Sequence, residues 1–172
     1  QKLFQEKNYL NAAPIFQKLY EKYPDEMYLK YVLGVCGIYR SDLNEQSLQL
    51  LQEVYTKYKK IEGIEYELAR AYHLNYKFDE SIEMANTYLK NKKITDKEKK
   101  SANDLINYCV NAKVLVANPV NSKIENFGGP INTTASEYVP VLSIDEKTII
   151  FTYVGEQSVG GLQNSYGLPD QR

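Results

Sequence analysis

The sequence has no apolar run able to span a bilayer. Its longest, Val32-Leu33-Gly34-Val35-Cys36-Gly37-Ile38, falls far short of the roughly 20 residues a transmembrane helix needs. Nor has it an excess of either charge. Its 21 Lys and Arg face 22 Asp and Glu, so no long-range field draws in nucleic acid or an anionic membrane surface, and neither is expected as a partner. It has only two cysteines, Cys36 and Cys109, without metal-ligand spacing. Both fall on apolar helical faces, where a lone thiol behaves as a small hydrophobe, and they leave the redox compartment open. It has one histidine, His73, with no Ser or Cys elbow and no metal-ligand spacing to make a catalytic site of it. The chain is therefore read as a non-enzyme with no catalytic residues, no cofactor and no metal. It begins without Met, signal peptide or cleavage site, which neither shows nor excludes export.

Phosphate loops are missing too. Gly128-Gly129-Pro130 and Gly160-Gly161 are followed by neither Lys-Ser/Thr nor a helix start that could hold an anion, and read as turns. Asp145-Glu146 reads as turn chemistry rather than as an acid pair or calcium site. The lysines at 90, 92, 93, 97, 99 and 100 are interleaved with Asp96 and Glu98, the pattern of a solvated helix connection rather than a phosphate-binding patch.

What is present is enough to fold. A chain of 172 residues, 43% hydrophobic and 25% charged, can bury a core in one or two domains. It repeats itself. Ala12-x-x-x-Phe16 with Pro24 matches the second half of a first unit. Leu33-Gly34 and Ser47-x-x-x-Leu51 form a second, and Leu68-Ala69-x-x-Tyr72 with Ser81-x-x-x-Ala85 a third. The spacing resembles the tetratricopeptide pattern of about 34 residues. Small residues at 12, 34, 47, 69 and 81 let paired helices approach closely, and stacking supplies the core that one pair lacks.

Thr95-Asp96-Lys97-Glu98 reads as a capping box. The amphipathic helix behind it carries Ala102, Leu105, Ile106, Cys109, Ala112 and Val116 at helical spacing, and should cap the open end of the stack. Asn118-Pro119 stops it. Thereafter the helical period ends. Residues 138–143 and 148–153 are strand candidates joined by a turn at Ile144-Asp145-Glu146-Lys147. A lone hairpin is marginal in water, so these strands are expected to belong to something larger. The expected divisions are helical repeats over 1–117, a linker over 118–135 and a β segment over 136–172.

The run Ile131-Asn132-x-x-x-Ser136-Glu137-Tyr138-x-Pro140-Val141-Leu142-Ser143-x-Asp145-x-x-x-x-Ile150-Phe151-Thr152 resembles the opening blade of WD40-like, TolB-type β-propellers in Bacteroidetes envelope proteins. There the blade follows a tetratricopeptide array and a short Asn-Pro linker, and many members end in an OmpA-like module. The resemblance implies a mainly α protein: a tetratricopeptide-like helical-hairpin solenoid with a capping helix, then the first strands of an incomplete β-propeller. It also implies a non-catalytic scaffold at the periplasmic face of the outer membrane, held there by export and a lipid anchor. Its partners would be other envelope proteins, in a type IX secretion or related assembly, reached through groove and propeller. Peptidoglycan would be reached only through a module that this sequence does not contain. The competing reading is a cytoplasmic tetratricopeptide adaptor, and a third places an enzymatic or ligand-binding site in the rest of the propeller.

In tetratricopeptide arrays the first helix of each pair lines a concave groove. That likeness assigns Tyr28, Tyr31, Val35, Ile38 and Tyr39 from one unit and Tyr66, Arg70, His73 and Leu74 from the next as partner-binding residues. Tyrosine and arginine are frequent interface anchors. Tyr31 and Tyr66, where carboxylate-clamping relatives carry Lys and Asn, imply a side-chain or helical ligand instead of a terminal carboxylate.

Overall fold

A computed structural model describes residues 2–58 and 61–155, with the backbone of 162–163 and 169–170. The Gly160-Gly161 turn lies outside the described residues. Two compact units divide the chain, Gln1–Val120 and Asn121–Arg172.

The first unit is helical: α1 (Lys2–Gln5), α2 (Tyr9–Lys22), α3 (Met27–Gly37), a 3₁₀ turn (Ser41–Leu43), α4 (Asn44–Lys57), α5 (Ile64–Leu74), α6 (Phe78–Leu89) and α7 (Asp96–Ala117). Packing is strongest between helices adjacent in sequence. The core accordingly runs as a series of clusters. Ala12, Phe16, Val32 and Leu33 join α2 to α3; Val35, Leu51 and Leu68 join α3, α4 and α5; Ala69, Ala85, Leu105 and Cys109 join α5, α6 and α7.

Close approach depends on the small residues. A Cβ at Gly34 would stand 2.6 Å from Leu51 Cγ, and one at Gly37 would stand 2.9 Å from Ser47 Cβ. Buried Ser47 donates its hydroxyl to Gly34 O at 2.5 Å, and in the α5–α6 pair buried Ser81 donates to Ala69 O at 2.7 Å. Each serine thus clamps α3 to α4 or α5 to α6 without leaving a polar atom unsatisfied. Lys30 is also buried, its ammonium 2.7 Å from a Glu53 carboxylate that Lys57 shares at 2.8 Å. Asn75 ties the end of α5 to the start of α4 by donating to Asn44 O at 2.9 Å.

The capping box forms as expected. Glu98 N donates to Thr95 Oγ1 at 3.3 Å and Thr95 N to Glu98 Oε2 at 2.7 Å. Thr95→Ala should cost about 1 kcal/mol, read as a lower urea midpoint at unchanged slope. A midpoint equal to that of the parent would show that the box adds nothing. α7 ends at Ala117, one residue before the expected Asn118-Pro119 stop. Its packed face covers only part of its length: Ala102, Leu105 and Cys109 are buried, but Val116, expected on that face, is 54% exposed. At 22 residues against 12 for α6, and 1.5 Å rise per residue, α7 outruns its partner.

In the second unit, β1 (Ser136–Leu142) pairs antiparallel with β2 (Ile149–Val154), with a register shift between Tyr138 and Val141. Val139 lies there at φ 50°, before Pro140. A β-branched residue is rare in that region, and the bulge accommodates it. The expected turn is present: Glu146 N donates to Ser143 O at 2.9 Å, and Asp145 Oδ1 accepts from the Ser143 hydroxyl at 2.6 Å and from Lys147 N at 3.3 Å. Part of the expected linker is itself structured. Ile131 N donates to Gly128 O at 3.0 Å, and Thr133 Oγ1 to Glu137 Oε1 at 2.6 Å. A short pair, β3 (Leu162–Gln163) with β4 (Pro169–Asp170), was not expected.

Candidate functional site

The nine residues assigned to a groove all lie on or next to α3 and α5, but they do not form one surface. Tyr31 and Tyr66 come together across a cavity of about 280 Å³. Ile38, Arg70, His73 and Leu74 edge a second, smaller cleft of about 120 Å³. Tyr28 is exposed at the first turn of α3. Val35 is a correction: at 2% exposure it is enclosed between α3, α4 and α5 and offers nothing to a partner. Ile38, at 7% exposure, shows the cleft only an edge. The helical period marks a whole face of α3, but once α4 and α5 both pack on that helix, little of the face is left in solvent.

The cavity between Tyr31 and Tyr66 is aromatic and acidic, whereas His73 and Leu74 also line a more open one of about 370 Å³ beside α7. Tyr31 is half-buried and meets Phe4 edge-on at 6.2 Å, while Tyr66 leans on Tyr88 at 5.3 Å. Burial pushes the Tyr31 and Tyr88 phenols up to about 12, with nearby carboxylates adding to the effect. Glu62, Glu67 and Glu98 also line it, against Lys7. Glu67 is the central group. Its side chain is 21% exposed and its Oε2 accepts from Arg70 Nη1 at 3.1 Å. Burial raises its pKa, and Arg70 and then Lys7 only oppose that rise.

Arg70 does more than pair with Glu67. It donates to Tyr39 Oη at 3.1 Å and lies 4.8 Å from the centre of the Tyr39 ring. That ring in turn stacks on Tyr9 at 4.4 Å and 21°. Tyr39 and Arg70 therefore brace one another across α3 and α5, though Tyr39 remains 44% exposed.

His73 meets a partner that sequence reading missed. Cys109 Sγ donates to Ser81 Oγ at 3.1 Å, and His73 Nδ1 lies 3.2 Å from the same sulfur. With the thiol donating to Ser81, the sulfur can accept from His73 in the tautomer that carries its proton on Nδ1. Burial pushes the Cys109 thiol up and the His73 imidazole down. Both shifts favour the neutral forms, the opposite of a thiolate–imidazolium nucleophile. The relay His73–Cys109–Ser81–Ala69 ties α5, α6 and α7 together.

Also missed were Tyr9, Tyr88 and the three carboxylates. Glu67 and Arg70 had a usable signal, their i,i+3 spacing on one helix face. The rest are brought in from four other segments, which no local pattern announces. Among the described residues no group of three His, Cys, Asp or Glu is placed to hold a metal, and no helix is long and apolar enough to cross a membrane. The lysines of the 90–100 segment are exposed. Compared with protein-family models, curated proteins and solved structures, the chain finds no match. The fold and site define a mainly helical protein with a small antiparallel β unit and an aromatic, acidic cavity on its helical part.

Proposed function

We infer that the helical unit is a tetratricopeptide-like array that holds another protein in its groove without catalysing a reaction. The observation that carries this reading is the cavity between Tyr31 of α3 and Tyr66 of α5. These are the first helices of two successive pairs, and the rings are amphipathic anchors of the kind that dominate interfaces. The recurrence of Ala12, Ser47 and Ser81 at one packing position supports the repeat assignment. The likeness of residues 131–152 to a TolB-type blade supports a place in a bacterial envelope assembly, where the β unit is the start of a propeller and a second docking surface.

The test is an affinity capture with the 172-residue chain from a detergent extract of the native cell, comparing it with Tyr66→Ala. The extract is fractionated into envelope and soluble parts. Retention of envelope proteins that falls at least tenfold in a variant with unchanged circular dichroism is the expected result. Equal retention by both chains, or retention of soluble proteins alone, would overturn the reading.

A further inference from the structure

We propose that the groove between α3, α5 and α7 receives a lysine or arginine side chain of the partner protein. The inference rests on the protein-binding reading and names the chemistry of what is bound.

Charge complementarity decides the sign of the occupant. Three carboxylates line the cavity, Glu62, Glu67 and Glu98, against one lysine, Lys7. Even with both cations counted, Arg70 as the counter-ion of Glu67 and Lys7, whose charge also acts on Glu67, the three carboxylates outnumber them by one. Glu98 is held ionised by hydrogen bonds from the Thr95 side chain and backbone, which keep its carboxyl below the usual range. Glu67 is under-neutralised, since burial outweighs Arg70 and raises its pKa. A cation entering beside it relieves that penalty, whereas a carboxylate or phosphate deepens it. The start of α5 at Gly63 adds some positive potential, but Glu65 and Glu67 in its first turn already answer it.

The walls suit the same occupant. Tyr31, Tyr66 and Tyr88 supply rings that attract an ammonium or guanidinium electrostatically, and the apolar stem of Lys or Arg can lie along them. The molecule already makes one such contact, Arg70 beside the Tyr39 ring at 4.8 Å. At about 280 Å³ the cavity lies at the lower edge of the roughly 300–1,000 Å³ typical of ligand pockets. It accommodates one long side chain rather than a folded element.

The experiment is selection of a random dodecapeptide phage library on the immobilised 172-residue chain, with selected peptides then titrated against three variants. Glu62→Gln/Glu67→Gln keeps size and hydrogen-bonding capacity while removing charge, Tyr66→Ala removes the wall, and Lys97→Gln is an exposed control. Circular dichroism melting shows which variants remain folded. The expected result is peptides sharing a Lys or Arg whose replacement by Gln weakens binding at least tenfold. The same peptides should bind the double Gln variant at least tenfold more weakly and the control unchanged. Peptides that need Tyr66 but carry no basic residue, or that bind the double Gln variant equally well, would overturn the cationic occupant and leave the groove reading standing. If no selected peptide depends on Tyr66, both fall.

Discussion

Truncating Leu51 to Ala is expected to cost about 2–5 kcal/mol, and adding Gly34→Ala to that variant should cost less than it does in the parent. Leu51 is fully buried in α4 and packs directly on the bare Cα of Gly34 in α3. A methyl at Gly34 would sit 2.6 Å from Leu51 Cγ and 2.9 Å from Cδ2. Cγ is not a free side-chain end, so the helices must part. Overpacking of this kind costs about 1–3 kcal/mol, offset by about 1 kcal/mol of better helix propensity. In Leu51→Ala the clash is gone and the new methyl fills part of the void. The α5–α6 pair already carries that combination, with Ala69 and Ala85 at the corresponding positions, both fully buried in one cluster. Urea unfolding of the two single variants and the double variant forms a cycle with a coupling of about 1 kcal/mol or more. Additive costs would show that the two positions do not share space.

The second large effect is on thiol chemistry. Cys36 and Cys109 are free and fully buried, and burial alone pushes the Cys36 thiol up to about 11. Thiolate is the reactive form. Against an ordinary thiol near 9, that shift lowers the reactive fraction of Cys36 at pH 8 by about 100-fold. The reagent reaches the sulfur only when the helices open, at several kcal/mol for a core position, and opening also removes the burial that caused the shift, so opening alone sets the labelling rate. Native labelling by a disulfide reagent should therefore run about 10³-fold or more below that in denaturant. A stack held by nearest-neighbour contacts opens piecewise, and the two cysteines lie in different clusters. Their rates should differ, and Leu105→Ala should speed Cys109 more than Cys36. Stoichiometric labelling within seconds in buffer, or one common rate for both thiols in every variant, would contradict this account.

How much of this was legible beforehand differs by element. The α7 start could be read because Thr95 and Glu98 satisfy each other's backbone within four residues, and its stop because Pro119 restrains Asn118 locally. The Asp145 turn was readable for the same reason, as its bonds run to Ser143 and Lys147. Gly34, Ser47 and Ser81 stood out because close helix approach leaves no other size of residue. Strand limits were off by one or two residues, where pairing partners rather than propensity set the ends.

The site was less readable. Tyr31, Tyr66 and Arg70 were singled out, but their acidic and aromatic neighbours come from the 62–67 turn and helix start, α6 and the first turn of α7, with the basic Lys7 from the segment after α1. His73 was read without Cys109, 36 residues away. Val35 and Val116 were placed on the right helices and the wrong surroundings, the first because α4 and α5 both cover it, the second because α7 extends past α6. The sequence by itself determined where α7 begins, where it stops to within a residue and which positions must be small, since those depend on backbone hydrogen bonds and volumes within a turn or two. Only the tertiary structure decided which side chains share a cavity, which charges face one another and which apolar residues stay in solvent. Those depend on how helices distant in sequence cross and on how far each outruns its neighbour, quantities that no short window of residues contains.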